Sequence, residues 1–189
     1  ANANGAVSFD GASYGSAGQV LTSQGQGSAV TWTTPSGGLI STVTTEVSGL
    51  GTFSVPVPAN THRVTIVLDN VSFTGTTGTG SGVRLAVGGV EITTGYQLAL
   101  LATGGTVTVA DDFLSIGTAS GAETIWGQFE IVNPVGNTWS ANGSYYRTSV
   151  NSFANQVSIM TLGDALSDIV FNTGASTFDA GSISVMFYS

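Results

Sequence analysis

The sequence predicts an all-β protein: a β-sandwich or jelly roll of about ten short strands, preceded by an extended Gly/Ser-rich N-terminal arm. Two observations favour this fold class. From residue 39 onward, short runs rich in β-branched and aromatic residues alternate with turns that contain Gly, Pro or Asn. No amphipathic segment is long enough for the helical crossover that a parallel sheet requires. The composition changes after Gly38, so we divide the chain into an arm, residues 1–38, and a β domain, residues 39–189.

The arm combines many Gly and Ser residues with few apolar ones. Ordering such a backbone costs much conformational entropy, which the arm's own side chains cannot offset. We predict a short strand pair, Gln19–Ser23 and Ala29–Thr33, around a Gln-Gly-Gln-Gly turn, which becomes ordered against another surface. Val20, Leu21 and Trp32 are the expected assembly residues. The alternative is a disordered linker.

Strand periodicity is clearest early in the β domain. The segments "LISTVTTEV" and "GTFSVPV" are predicted strands, and "HRVTIVLDNVSF" places Val64, Ile66 and Leu68 on one face. The segment "GTTGTGSG" is typical of a loop. The runs "VRLAV" and "VEI" flank Gly88-Gly89 and predict a hairpin.

The second half of the domain predicts further strands. The run "YQLALLATG" fits a short helix or a strand, and "TVTVA" and "DFLSI" are predicted strands around Asp111-Asp112. "TIWGQFEIV" is a longer strand, with Phe129 and Ile131 on the face opposite Trp126. After a turn at Asn133–Asn137, "TWSANGSYYRTS" and "NQVSIMTL" are the next strands. We expect one helical turn in "GDALSDIVFN" before its strand, and "GSISVMFYS" closes the chain as a strand.

The charge content excludes several classes of partner. Charged residues make up 7% of the chain, Lys is absent, and three Arg stand against eleven acidic residues, for a net charge of −8. Phosphate backbones and anionic lipids attract clustered basic residues, so we predict neither nucleic-acid nor membrane binding. No apolar run reaches the ~20 residues that span a bilayer. The absence of Cys excludes disulfides and thiolate metal sites.

Catalytic and metal-binding residues are sparse. His62 is the single histidine and is expected to be a surface or capping residue, and no G-x-S-x-G nucleophile motif occurs. Asp111-Asp112 and the pair Asp164 and Asp168 could hold Ca²⁺, but solvated turn acids are the favoured interpretation. A glycosidase would need two carboxylates across a cleft, which sequence spacing does not indicate. We therefore predict a protein that is not an enzyme and has no cofactor or metal.

Four aromatic residues suggest a ligand surface. Trp126, Trp139, Tyr145 and Tyr146 fall on two strands that we expect to be neighbours, among Asn and Ser residues. Stacked rings with amides around them could contact a glycan. Packing in the core or at a subunit interface is the alternative, and we favour it for three of the four.

Two segments resemble proteins of tailed bacteriophages. "GSAGQVLTSQGQGSAVTW", residues 15–32, resembles a G-x-x-G-x-V-L-x-S-x-G-x-G…W segment that recurs in tail fibres and other appendage proteins. "GTFSVPVPANTHRVTIVLDNVSFTGTTG", "EITTGY" and "STFDAGSISVMFY" are similar, in the same order, to a domain of phage virion proteins. That domain carries "F…IP…VKRI", "G.VETTGY" and "TFDAGTINIMYE". This chain has "ANTHRV" where the family tends to carry Lys-Arg.

The resemblance implies a non-enzymatic structural module located in the virion. The expected form is a homotrimeric fibre or spike that contacts other tail, neck or capsid proteins through residues 1–38. Two loops, Thr74–Gly82 and Asn133–Gly143, would meet a host-surface carbohydrate or solvent, with avidity from three modest sites. The alternative is a capsid decoration or head-fibre protein whose arm lies over neighbouring capsid subunits. The chain could also be a fragment of a longer fibre.

Overall fold

The computed structural model describes residues 15–16, 18–33, 37–74, 81–102, 107–108, 112–116, 124–148 and 151–189. The protein is all-β, as the sequence predicts. The chain separates into two compact units, with the division between Gly38 and Leu39; Ser189 groups with the first unit.

The smaller unit contains a single described hairpin, in which β1 (Val20–Thr22) pairs antiparallel with β2 (Thr31–Thr33). This is the strand pair predicted for the arm: the first strand is one residue shorter at each end, and the second begins two residues later and ends at the predicted Thr33. Leu21 lies directly opposite Trp32. The hairpin therefore brings two of the three predicted assembly residues together on one side of a two-stranded ribbon.

The larger unit is a β-sandwich. Its strands are β3 (Leu39–Glu46), β4 (Phe53–Pro56), β5 (Arg63–Phe73), β6 (Gly82–Val87), β7 (Val90–Glu91), β8 (Gln97–Ala102), β9 (Val107–Thr108), β10 (Leu114–Ser115), β11 (Ile125–Val135), β12 (Thr138–Arg147), β13 (Ser152–Thr161), β14 (Leu166–Asn172) and β15 (Phe178–Tyr188). The larger sheet has the order β3-β15-β5-β11-β12-β13-β8-β9. The smaller has the order β10-β6-β14-β4, with β7 paired to β6. Every described pairing is antiparallel.

The core lies between the two sheets and follows from strand alternation. Val64, Ile66 and Leu68 of β5 are buried, while Arg63 and Asp69 on the same strand are exposed. The predicted face of this strand is confirmed. The same alternation buries Phe129 and Ile131 of β11 and Ile183, Val185 and Phe187 of β15. Together with the smaller sheet's Leu85, Ile169 and Phe171, these side chains form one continuous hydrophobic cluster.

Two glycines give the core rings room beside the paired strands β11 and β12. Gly143 lies opposite Phe129, and Gly127 lies opposite Tyr145. A Cβ atom on Gly143 would come within 2.5 Å of the Phe129 ring, and one on Gly127 within 2.7 Å of Tyr145. The Phe129 ring thus covers the Gly143 backbone, whereas Gly127 lies against the Cβ atom of Tyr145. The centroids of the Phe129 and Tyr145 rings lie 6.4 Å apart in an edge-to-face contact.

The structure decides one alternative that the sequence left open and corrects two predictions. The run "YQLALLATG" forms strand β8 over its described part, so the strand alternative is correct. The helical turn expected in "GDALSDIVFN" is wrong: the described residues contain no helix, and Gly163 and Asp164 form a bend before β14. Asn133–Gly143 is not a loop but a tight hairpin, because Val135 pairs with Thr138 and the ladder continues along β12.

Candidate interaction surfaces

The larger sheet has a face turned away from the smaller sheet. Along β13, exposed Asn155 and Val157 flank buried Gln156, whose side chain reaches Ser115 on β10 of the smaller sheet. We call the opposite surface the outer face. It comprises Trp126 of β11 and the outward residues of β12, β13 and β8 apart from the pair Thr138 and Thr161 at the end of the hairpin: Trp126, Ser140, Asn142, Ser144, Tyr146, Phe153, Asn155, Val157, Ile159, Gln97, Ala99 and Leu101.

One end of the outer face carries a row of three aromatic side chains. Trp126 lies opposite Tyr146, and Tyr146 lies opposite Phe153, so the rings stand on three adjacent strands. The Tyr146 hydroxyl donates a hydrogen bond to Asn151 Oδ1 at 2.8 Å, which fixes that ring next to the β12–β13 turn. Directly opposed residues of an antiparallel ladder contact each other, so the row is continuous across the sheet.

Aliphatic side chains continue this apolar surface toward β8. Leu101, Val157 and Ile159 project beside the small Ala99. The three aromatic and three aliphatic side chains each have between 37% and 57% of their surface exposed. Two open grooves of about 470 and 530 Å³ run on the two sides of Val157, because the neighbouring outward residues are small or polar. The outer face is therefore an apolar surface with ridges and grooves.

Charged side chains do not occur on the outer face: none of its twelve residues is Asp, Glu, Lys, Arg or His. The nearest ion pair along the same side of the sheet joins Arg63 Nη1 to Glu130 Oε1 at 3.7 Å, on β5 and β11. Arg63 also lies over the Tyr188 ring, 4.2 Å from its centroid. The outward charges of the larger sheet are thus kept on its β3-β15-β5-β11 half.

The four aromatic residues predicted as glycan contacts separate into two pairs. They do lie on neighbouring strands, since β11 pairs with β12. Trp139 and Tyr145 are only 3% and 4% exposed and belong to the core, whereas Trp126 and Tyr146 lie on the outer face. Only the second pair offers its rings to a ligand or partner in this structure.

A charged cluster is built into the smaller sheet instead. Arg84 Nε donates to Asp112 Oδ1 at 2.6 Å, and Arg84 Nη1 donates to Glu91 Oε1 at 2.8 Å. Burial lowers the pKa of Arg84, but its hydrogen bonds to Glu91 and Asp112 outweigh this and raise the pKa overall. Asp112 is 2% exposed, so its interpretation as a solvated turn acid is wrong; Asp111 lies outside the described residues.

Tyr96 anchors the approach to β8 in the same region. Its hydroxyl accepts a hydrogen bond from Leu85 N at 2.9 Å and donates one to Ile92 O at 2.8 Å. Burial is the main cause that raises the pKa of Tyr96 to about 12. The ring contacts Phe113, with centroids 5.8 Å apart. Tyr96 therefore joins the segment before β8 to β6 and to the core.

The remaining candidates have simple placements. His62 is exposed and adjoins β5, as expected for a surface residue. Asp164 lies in an exposed bend, and the Asp168 carboxylate accepts a hydrogen bond from Ser167 Oγ. Among the described residues, no group of three or more His, Cys, Asp or Glu side chains is placed to hold a metal ion. Most of the predicted Thr74–Gly82 loop, residues 75–80, lies outside the described residues.

The arm hairpin forms a second apolar surface. Val20 and Leu21 are exposed, and Trp32 is half-buried. Gly15 adopts φ +70°, and a Cβ there would lie 2.7 Å from the Trp32 ring, so the glycine backbone packs closely against the indole. No charged residue occurs in the described residues 18–33.

Comparisons of the chain with protein-family models, with curated proteins and with solved structures find no match to any of them. In the described part of the chain, no helix has the length and apolar character needed to cross a membrane.

The sequence did not identify four of the outer-face residues: Leu101, Phe153, Val157 and Ile159. Three of the four lie in "FANQVSIM", a run in which both alternating sets of residues contain apolar side chains. Both sets are apolar in part, so periodicity alone does not say which faces the core. The structure decides, because Ala154, Gln156 and Ser158 are the buried set.

Proposed function

We propose that this protein is a non-enzymatic structural module of a tailed-bacteriophage virion, a homotrimeric fibre or spike component with a β-sandwich domain and an assembly arm. The observation that carries the proposal is the arm hairpin. Its exposed Val20 and Leu21, with Trp32 opposite, form an uncharged apolar ribbon too small to be stable alone. Such a ribbon is suited to packing against other protein subunits.

Two further features support this proposal. Two of the three segments that resemble phage virion proteins contain strands that pair with each other: the first contains β4 and β5, and "STFDAGSISVMFY" contains β15, which pairs with β5. In the smaller sheet, the carboxylates of Glu91 and Asp112 are both engaged by Arg84. This arrangement serves as a structural ion cluster rather than as a free pair of acids across a cleft.

Quantitative mass spectrometry of purified particles of the phage that encodes the chain tests the proposal. We expect a small number of trimers per particle, relative to the major capsid protein, as befits a tail or neck appendage. Hundreds of copies would contradict the fibre assignment and support the alternative, a capsid decoration protein. Absence of the chain from the particles would overturn the virion role altogether.

Deleting residues 1–38 tests the arm itself. If the arm assembles the subunits, the deletion lowers the solution mass from three times 19.0 kDa, about 57 kDa, toward that of the monomer. A second variant, Leu21→Ser in the full chain, removes one exposed apolar side chain of the hairpin and should weaken the trimer in the same direction. An unchanged trimer in both variants would exclude an assembly role for the arm.

A further inference from the structure

We infer that the outer face is the surface through which the β domain associates with other copies of this chain. The inference deepens the proposed function, since it rests on assembly as the protein's role and names the surface and the partner. The partner is a second copy, because its own outer face supplies the uncharged, partly apolar surface that the charge, side-chain chemistry and area of this face require.

The first reason is electrostatic. Each chain carries a net charge of −8, so two copies repel each other wherever their acidic surfaces meet. The outer face is a surface of twelve residues without a charged side chain, whereas outward charges of the same sheet lie on β3, β5 and β11. Contact between copies is therefore least opposed here. Interface cores are likewise depleted of charge and enriched in Tyr, Trp and Phe.

The second reason is the mixture of side chains. A glycan would use the faces of Trp126 and Tyr146 with nearby amides. It would leave Leu101, Val157 and Ile159 facing hydroxyl groups, and burying unpaired hydroxyls against aliphatic carbons is unfavourable. A protein surface that carries both aromatic and aliphatic side chains can pack against the aromatic row and against the aliphatic residues of the outer face. The aliphatic half of the outer face therefore favours a protein partner.

The third reason is area. Aromatic side chains bury roughly 150–250 Å² each, and the six large apolar residues are about half exposed, so their exposed area is on the order of 500 Å². An exposed apolar area of this size lies near the upper end of the range for the largest apolar patch on a typical monomeric protein, roughly 300–600 Å². The amide and hydroxyl residues between them bring the face toward the roughly 800 Å² per partner of a stable interface.

The relief of the face suits packing of one sheet against another. Val157 stands between the two grooves of about 470 and 530 Å³, with the small Ala99 next to it. Facing sheets pack about 10 Å apart with interdigitated side chains. A projecting side chain of a neighbouring copy can enter each groove, so the two sides of Val157 offer contacts to two neighbours, as the closed ring of a trimer requires.

The test is the solution mass of the full chain as a function of concentration, by sedimentation equilibrium. The principal variant is Val157→Glu, which places an unpaired carboxylate at the centre of the outer face. The matched control is Val90→Glu, the same substitution at a 70%-exposed strand valine of the smaller sheet. Leu101→Glu on β8 is a second variant, and thermal melting confirms that each variant is folded.

We expect the wild type to form an oligomer and Val157→Glu and Leu101→Glu to raise its dissociation constant by at least about 100-fold, because each buries an uncompensated charge. Val90→Glu should leave the constant within about twofold. Added salt should strengthen the wild-type association by screening the repulsion between chains, whereas an interface held by ion pairs would weaken.

Two results would overturn the inference. One is a folded Val157→Glu chain that associates as the wild type does. The other is a wild-type chain that is monomeric and binds host-surface polysaccharide in a manner lost in Val157→Glu, which would assign the face to carbohydrate. The mass measurement does not depend on where the protein resides. Failure of the virion proposal, seen as absence from particles, is therefore distinguishable from failure of this interface.

Discussion

The Gln156 side chain links the two sheets through hydrogen bonds. It is 3% exposed, on the inward side of β13. Its Oε1 accepts a hydrogen bond from Ser115 N, and its Nε2 donates one to Ser115 O, both at 2.8 Å. A side-chain amide here continues the backbone pairing pattern from one sheet to a strand of the other. We expect Gln156→Met, which preserves volume and removes both polar atoms, to destabilise the domain.

The magnitude follows from the number of bonds lost. Each neutral hydrogen bond contributes about 0.5–1.5 kcal/mol net, so losing both lowers the free energy of unfolding by about 2 kcal/mol. For a domain of about 150 residues, each kcal/mol corresponds to roughly 2–4 °C in Tm. Gln156→Met should therefore melt about 4–8 °C below the wild type.

Urea unfolding and thermal melting measure this difference. The matched control is Gln128→Met, the same substitution at an exposed outward position of β11, which should change the unfolding free energy by less than about 0.5 kcal/mol. Amide hydrogen exchange adds a local readout, because the Ser115 N–H should lose protection in Gln156→Met alone. A melting temperature within about 1 °C of the wild type, with unchanged Ser115 exchange, would refute the linking role.

Three other substitutions test the packing and electrostatics. Burial raises the pKa of Tyr96 to about 12, above its usual value near 10. The contribution of the neutral Tyr96 side chain to the free energy of unfolding is therefore complete below pH 10 and is lost as the pH rises toward 12. Urea titrations from pH 9 to 12 should show that the wild type loses about 2–3 kcal/mol of unfolding free energy that Tyr96→Phe does not lose. If the unfolding free energies of the two proteins fell in parallel with pH, the prediction would be wrong. Gly181→Ala should lower the free energy of unfolding in urea by about 2–4 kcal/mol, because Gly181 has φ +96° and a Cβ atom there would lie 2.4 Å from Asn70 O. A loss below about 1 kcal/mol would show that the irregularity in the β15–β5 pairing between Ala180 and Ser182 relaxes. Asp112→Asn should lower the free energy of unfolding by about 3 kcal/mol in the same assay, because it removes the buried carboxylate and leaves the partly buried Arg84 with one acidic partner. A stability equal to that of the wild type would show that the ion pair is dispensable.

The all-β class and several core faces could be predicted because they depend on local patterns. Val64, Ile66 and Leu68 occupy alternate positions of their strand. When one face of a strand is buried, this period of two determines which residues face the core. The arm hairpin was predictable for the same reason, since its Gly-containing turn and flanking apolar residues are close in sequence.

The remaining features depend on contacts between distant segments. Asp112 is buried because Arg84, 28 residues earlier, reaches it across the β6–β10 pair, and no local pattern signals that partner. The run "YQLALLATG" does not alternate, so its pairing with β13 decided between strand and helix. Likewise, Trp126 and Trp139 have similar sequence surroundings. Their placements, exposed and buried, follow from the register of β11 and β12 rather than from composition.

The composition and the outer face have a common physical explanation. Exposed strands are usually protected from association by charged residues, Lys above all, and this chain contains no Lys. Its outer face and the described arm hairpin contain no charged side chain and so lack that protection. A surface of Ser, Thr and Asn with apolar ridges requires little desolvation of charge when it is covered. The outer face and the arm hairpin thus lack the side chains that would oppose close contact between subunits, although the chain as a whole is acidic. The two uncharged surfaces are therefore the places where the assembly that we propose would be least opposed.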